Sequence, residues 1–297
     1  MQNIKIGYFG DGPWAHEALR RLLLEPNVQV VFVCVRFDTP DTFLLHLARE
    51  NGIQTYALKN INSRESLEMM QALDADLFVS MSFNQIFKSE VINLPPLGII
   101  NCHAGKLPFY RGRNIINWAL INGESEFGIT VHQVDTGIDT GDILLQRTFP
   151  INENDDYGSL LRIAHMECAP LLVEAISQIR QGRSKPILQD EISVIGTYFP
   201  MRIRGDEIID WNQSSRDVYN FIRALANPGP LAQSHLNDEV IKFKRAQMIA
   251  NAPIFKGIPG SVIGVQEDGL YVKTSDSLIL IKEFSASFKP RLGDRFQ

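Results

Sequence analysis

The chain has 297 residues, 44% hydrophobic and 21% charged, ordinary values for a soluble globular protein of about two domains. A net charge of −5 argues against nucleic acid or an anionic membrane as the main partner. Three scattered cysteines (Cys34, Cys102, Cys168) form no CxxC pair or disulfide framework, and no apolar stretch approaches the roughly 20 residues of a membrane span. With no signal-peptide pattern at the N-terminus, a cytoplasmic protein is expected.

In chain order, Ile4–Phe9 reads as a strand, followed by the turn Gly10-Asp11-Gly12-Pro13 and a helix over Trp14–Leu24. Val28–Val35 is almost continuously apolar, as for a strand covered on both sides. Helices over Thr42–Asn51 and Ser63–Leu73, strands over Leu77–Ser80 and Leu97–Cys102, and a helix over Arg113–Asn122 follow. Two strands, Ile129–Val134 and Ile143–Phe149, flank the turn Asp135–Asp142, and Tyr157–Gln181 is a long amphipathic helix. The alternation predicts an α/β, Rossmann-like, mostly parallel sheet with helices on both faces in residues 1–182. A polar tract from Gln181 to Pro186 opens a linker over residues 183–208. Beyond it, Ser214 and Asp217 make a capping box for a helix over Val218–Ala226. Short alternating runs at Val240–Arg245, Ser261–Val265, Leu270–Thr274 and Ser277–Phe284 predict a smaller, mainly-β domain, OB-like or a partly open barrel, over residues 209–297.

The first glycine cluster, GYFGDG, has the spacing G-x-x-G-x-G rather than G-x-G-x-x-G, so a dinucleotide is not expected. The turn at Gly10 nonetheless lies beyond the carboxyl end of a parallel strand, where ligands gather. Asn101 and His103 are two residues apart on a strand and therefore share a face. An amide donor can stabilise an oxyanion, and an imidazole can move a proton near neutral pH. The plain alternative is a capping Asn beside a satisfied core His. Three neighbouring segments weigh against it. GKLPFYRGRN (Gly105–Asn114) is a stiff cationic loop. VDTGIDTGDI (Val134–Ile143) crowds three aspartates into a turn without the EF-hand pattern, and could supply a carboxylate to orient His103. Met81–His103 leads into the site through an apolar, amide-rich loop.

Taken together, Phe83-Asn-Gln-Ile-Phe87, Asn101-Cys-His103, Leu107-Pro-Phe-Tyr-Arg-Gly112 and Gly137-Ile-Asp139-Thr-Gly141 resemble the folate-dependent formyltransferases. Thr197–Ala232 is similar to the connection into the C-terminal domain of the longer members. The resemblance implies transfer of a formyl group from N10-formyltetrahydrofolate to an amine, without a metal. It places the catalytic roles on Asn101 and His103, which would stabilise the tetrahedral oxyanion, and on Asp139, which would hold His103 for proton transfer. The loop carrying Phe83, Gln85, Ile86 and Phe87 would bind the pterin, largely through backbone groups, with Asp135–Asp139 closing over it.

Charge bears on the acceptor. Asp38 and Asp41 stand where a tRNA-binding member would carry lysines, and the net charge is −5. With tRNA disfavoured on charge, the resemblance of the extended run Asn101–Glu124 to the sugar-acting members implies a nucleotide-linked amino-dideoxy sugar, such as dTDP-4-amino-4,6-dideoxyglucose or its 3-amino isomer, in surface polysaccharide (O-antigen) synthesis, and by family analogy a homodimer. Methionyl-tRNA is the alternative acceptor. Lys106, Arg111 and Arg113 are candidates for gripping the diphosphate, although Arg111 could instead anchor its own loop. Trp14 and Tyr198 are candidates for an aromatic face beneath the base, or are packing residues. A folate-binding regulatory protein on the same scaffold is the non-enzyme reading.

Overall fold

In the computed structural model, which describes residues 3–297, the predicted alternation is present. In chain order the first elements are β1 (Ile4–Gly10), α1 (Gly12–Leu24), β2 (Val28–Cys34), α2 (Thr42–Glu50), β3 (Gln54–Tyr56), α3 (Arg64–Ala72), β4 (Leu77–Met81), α4 (Ser89–Ile92), β5 (Ile99–His103) and β6 (Arg111–Gly112). Then come α5 (Ile115–Ile121), β7 (Glu126–Gln133), β8 (Ile143–Pro150), α6 (Tyr157–Arg180), α7 (Gln189–Ile192) and β9 (Tyr198–Phe199). The last are α8 (Ser215–Ala224), β10 (Ala232–Leu236), β11 (Glu239–Gln247), β12 (Val262–Gln266), β13 (Gly269–Lys273) and β14 (Leu278–Ser285).

One unit comprises the residues up to Gly112 with Gly128–Phe149 and Arg162–Tyr198. Its sheet runs in the order β3-β2-β1-β4-β5-β7-β8. The first five of these strands are parallel, and β7 is antiparallel to β5. β4 is buried along its whole length and β1 at every residue but Lys5, which requires cover on both faces of the sheet. The core centres on Phe9, whose ring lies 5.1–5.4 Å from those of Phe32, Phe78, Phe83 and Phe87, each edge-on. Such pairs contribute about 0.5–1.5 kcal/mol each beyond their buried area. Gly7 makes this cluster possible, because a Cβ there would lie 2.4 Å from the Phe32 ring and 2.7 Å from that of Phe78. No described helix is long and apolar enough to cross a membrane.

The second unit comprises Arg113–Phe127, Pro150–Leu161 and Phe199–Gln297. Five antiparallel strands in the order β10-β11-β14-β13-β12 pack with α8 around Trp211, Val218, Ile222, Phe243, Val272, Ile281 and Phe296. Ser214 caps α8, its side chain accepting from Asp217 N at 3.1 Å, as the capping-box spacing predicts.

Six elements escaped the sequence pattern, among them the two-residue strands β6 and β9. β3 is three residues at the sheet edge, and α4 and α7 are single turns; all are too short to show a period. In β10, Gln233, Ser234 and His235 interrupt the apolar signal, yet Ser234 is buried because Trp211 Nε1 donates to its Oγ at 2.9 Å and it donates on to Gln297 O.

Candidate active site

The antiparallel register of β5 on β7 sets Asn101 opposite His132 and His103 opposite Thr130. Residues two apart share a face, so these four polar side chains form one patch on the sheet. Thr130, His132 and His103 are buried and Asn101 is half-buried. A polar patch with this little solvent must satisfy itself.

Its hydrogen bonds fix the imidazoles. His132 Nδ1 lies 2.7 Å from Gln133 O, an acceptor, so Nδ1 carries the proton and Nε2 is left to accept from Asn101 Nδ2 at 3.2 Å. That contact turns the Asn101 amide and leaves its second N–H for another acceptor. His103 Nε2 donates to Tyr110 O at 2.7 Å. Its Nδ1 then faces Asp139 Oδ2 at 3.7 Å, near enough for a charge to be felt. Gly105 permits the Tyr110 bond, since a Cβ there would stand 2.5 Å from His103 Nε2 and 2.5 Å from Tyr110 O. Thr130 Oγ1 ties the floor together, donating to Gly105 O at 2.7 Å and accepting from Gln146 Nε2 at 2.9 Å.

Asp139 reaches the patch from the loop between β7 and β8. Its φ of 53° lies in the left-handed region, which Asp tolerates better than most residues. Oδ2 accepts from Gly112 N at 2.8 Å, and Oδ1 lies 3.5 Å from His132 Nε2. Burial alone would raise the Asp139 carboxyl. The His103 and His132 rings when charged, together with the Gly112 amide, outweigh it and hold the group well below the ordinary carboxylate range. Burial lowers His103 below its ordinary value of 6.5, against the opposing pull of Asp139 and the Tyr110 carbonyl. At neutral pH the pair is an ionised carboxylate facing an uncharged imidazole whose Nδ1 lone pair is open. No thiol competes: the three cysteines are buried, and burial pushes Cys34 up to about 12.

The structure thus brings Asn101, His103 and Asp139 together and adds His132. The sequence held a signal for His132, the alternating polar positions Thr130 and His132 in an otherwise apolar strand, but the facing partner comes only from register. The remaining predicted residues are disposed differently. Arg111 gives Nε and Nη2 to Gln189 Oε1, at 3.0 and 2.6 Å. The stem of Lys106 packs over Gly128, where a Cβ would lie 2.7 Å from its own. Arg113 lies in the second unit with Nη1 3.8 Å from Met201 Sδ. Trp14 stands edge-on to His165, 4.5 Å between ring centroids, while Tyr198 is half exposed. A Cβ on Gly10 would meet Ala15 and Tyr8 at 2.8 Å, so this glycine serves close packing. Phe83 and Phe87 pack into the core, leaving Ile86 exposed. Gln85 spends its amide on Ile61 N and Leu58 O, at 3.0 and 2.8 Å. Asp135 Oδ1 accepts from Gly137 N and Thr140 Oγ1, at 3.0 and 2.6 Å, and so shapes the loop that carries Asp139.

Residues 3–176 match the family model "Formyl transferase", and residues 203–293 match "Formyl transferase, C-terminal domain". A methionyl-tRNA formyltransferase of Citrifermentans bemidjiense is 33% identical over 300 residues, covering 98% of this chain and 92% of that protein. One from Clostridium acetobutylicum is 34% identical over 287 residues, covering 94% and 90%. Among solved structures, the sugar 3N-formyl transferase WlaRD superposes with a TM-score of 0.68 at 24% identity, covering 95% of this chain and 98% of that one. At that identity the likeness shows the fold alone.

These relatives overturn two expectations, the nucleotide-sugar acceptor with its polysaccharide pathway and the exclusion of nucleic acid. The acidic segment that suggested them has internal work. Asp41 caps α2, accepting from Leu44 N at 3.0 Å, and also accepts from Gly12 N at 2.8 Å and meets His16 Nε2 at 2.7 Å. Asp38 is paired with Arg36 Nη2 at 2.8 Å. Carboxylates used as caps and ion-pair partners do not measure what a surface can bind. With both family models matched and relatives above 30% identity along nearly its whole length, the chain belongs to the formyl transferase family.

Proposed function

We propose that the protein transfers a formyl group from N10-formyltetrahydrofolate to the amine of methionyl-tRNA. The observation that carries this reading is the 33% identity to a methionyl-tRNA formyltransferase along 98% of the chain, both family domains included. The polar patch is suited to the chemistry. The free N–H of Asn101, oriented by His132, is available to negative charge growing on the formyl oxygen. His103 Nδ1 takes the proton shed by the attacking amine, and Asp139, 3.7 Å away, stabilises the imidazolium that results. His103 then returns the proton toward the departing nitrogen. His132 positions Asn101, and Gly112 N fixes Asp139.

The donor supplies the activated formyl carbon. Residues 83–87 fit its ring: Asn84 Oδ1 is a buried acceptor without a hydrogen-bond partner, next to exposed Ile86, and a pterin carries N–H donors on an apolar frame. Phe83, Gln85 and Phe87 hold the loop's shape from within, and Asp135 holds the turn that carries Asp139.

Release of tetrahydrofolate, followed by absorbance, tests the reading. The rate is expected to depend on added methionyl-tRNA. Equal release with water alone, or none with methionyl-tRNA, contradicts it.

A further inference from the structure

Gln189, in the one-turn helix α7, is 3% exposed and uses both ends of its amide. Oε1 accepts twice from the Arg111 guanidinium, at 3.0 and 2.6 Å. Nε2 donates to Asp139 O at 2.8 Å and to Gly141 O at 2.7 Å. The side chain therefore joins two segments that converge on His103. One is the loop whose Tyr110 carbonyl receives Nε2–H of His103, and the other is the turn whose Asp139 carboxylate faces Nδ1. Arg111 is itself held at its backbone, donating from N to Thr197 O at 3.0 Å. A Cβ on Gly196 would lie 2.6 Å from Arg111 Cζ, so the chain passes close over the guanidinium.

Asp139 needs such a tie. Its backbone is in the left-handed region, in a turn otherwise shaped from within by Asp135, and its carboxylate accepts from the Gly112 amide. Drift of the turn would lengthen the 3.7 Å approach of the carboxylate to the imidazole and turn it away from Nδ1, weakening the charge interaction between them. We propose that Gln189 is a positioning residue for formyl transfer, clamping the Asp139 turn to Arg111 so that the carboxylate stays opposite His103. The inference rests on the role assigned above to the His103–Asp139 pair.

Two substitutions separate a clamp from a mere anchor for the segment around α7. Gln189→Glu keeps the acceptor for Arg111 but removes the donor to the Asp139 turn and sets oxygen against oxygen. An anchor tolerates this, whereas the clamp does not, and turnover with methionyl-tRNA is expected to fall roughly ten- to a hundredfold. Gln189→Met removes both ends without adding charge. In it the NMR titration of His103 is expected to move to lower pH, as in Asp139→Asn, because the carboxylate that supports the imidazolium is no longer held. Wild-type turnover in Gln189→Glu, or an unmoved His103 titration in Gln189→Met, overturns the proposal. An Asp139→Asn variant with unchanged turnover and titration instead removes the role given to Asp139. The clamp is then judged on hydrogen exchange at Gly112 N, which donates to Asp139 Oδ2: faster exchange in Gln189→Met supports it, and wild-type exchange refutes it.

Discussion

At the scale of single residues, two groups carry distinct and separable consequences. In the proposed mechanism Asn101 offers one N–H to developing charge, so Asn101→Ala is expected to lower kcat by about 10²–10³-fold with little change in the folate KM, measured by steady-state kinetics. In the proposed mechanism His103 works in its uncharged form, and burial lowers its pKa below 6.5. The acid limb of kcat/KM should therefore lie below pH 6.5, activity being lost as pH drops through the lowered His103 pKa. Asp139 opposes the shift by favouring the imidazolium. In Asp139→Asn the limb is expected to move still further to acid while the plateau drops; a limb that moves to higher pH contradicts this electrostatic assignment. Much of this was legible beforehand. The spacing of Asn101 and His103 announced a shared face, and the Asp-rich turn announced a carboxylate. For Arg111 the sequence left two alternatives, a phosphate ligand or an anchor of its own loop, and its partner in the structure, Gln189, is 78 positions along the chain. Gln85, which the resemblance places at the pterin, has its amide engaged at residues 58 and 61.

Among the elements, the decisive pairing is β5 with β7. Periodicity identified both strands, but period 2 says only which residues share a face, not which residue of another strand they meet. Register supplies His132 beside Asn101 and Thr130 beside His103. The loop after β5 is shaped to the same end, Gly105 leaving room for the bond from His103 to Tyr110 O. Gly105→Ala would force that pair apart, because 2.5 Å is well inside any real Cβ contact. Turnover is expected to fall roughly ten- to a hundredfold through misplacement of the imidazole, as measured by steady-state kinetics. Full activity in a folded Gly105→Ala protein would show that the Tyr110 bond is dispensable. The parallel strands, their helices and the capped α8 were read from pattern; β3, α4 and α7 were not, because three or four residues carry no period, and β10 was masked by polar residues that find partners inside.

At the scale of the whole molecule, net charge proved a poor guide to the acceptor. The value of −5 sums all carboxylates, including Asp41, which caps a helix, and Asp38, which is paired with Arg36. Association with a polyanion depends on the local arrangement of cations, which a sum over the chain does not report. Similarity along the full length, across both family domains, is the stronger guide to the acceptor. The most direct measurement is mass analysis of the aminoacyl group recovered from methionyl-tRNA after incubation with the protein and N10-formyltetrahydrofolate. The expected result is N-formylmethionine with the wild-type chain and at least a hundredfold less, as an order of magnitude, with His103→Ala. Unmodified methionine from a wild-type preparation that still formylates some other amine would contradict the account.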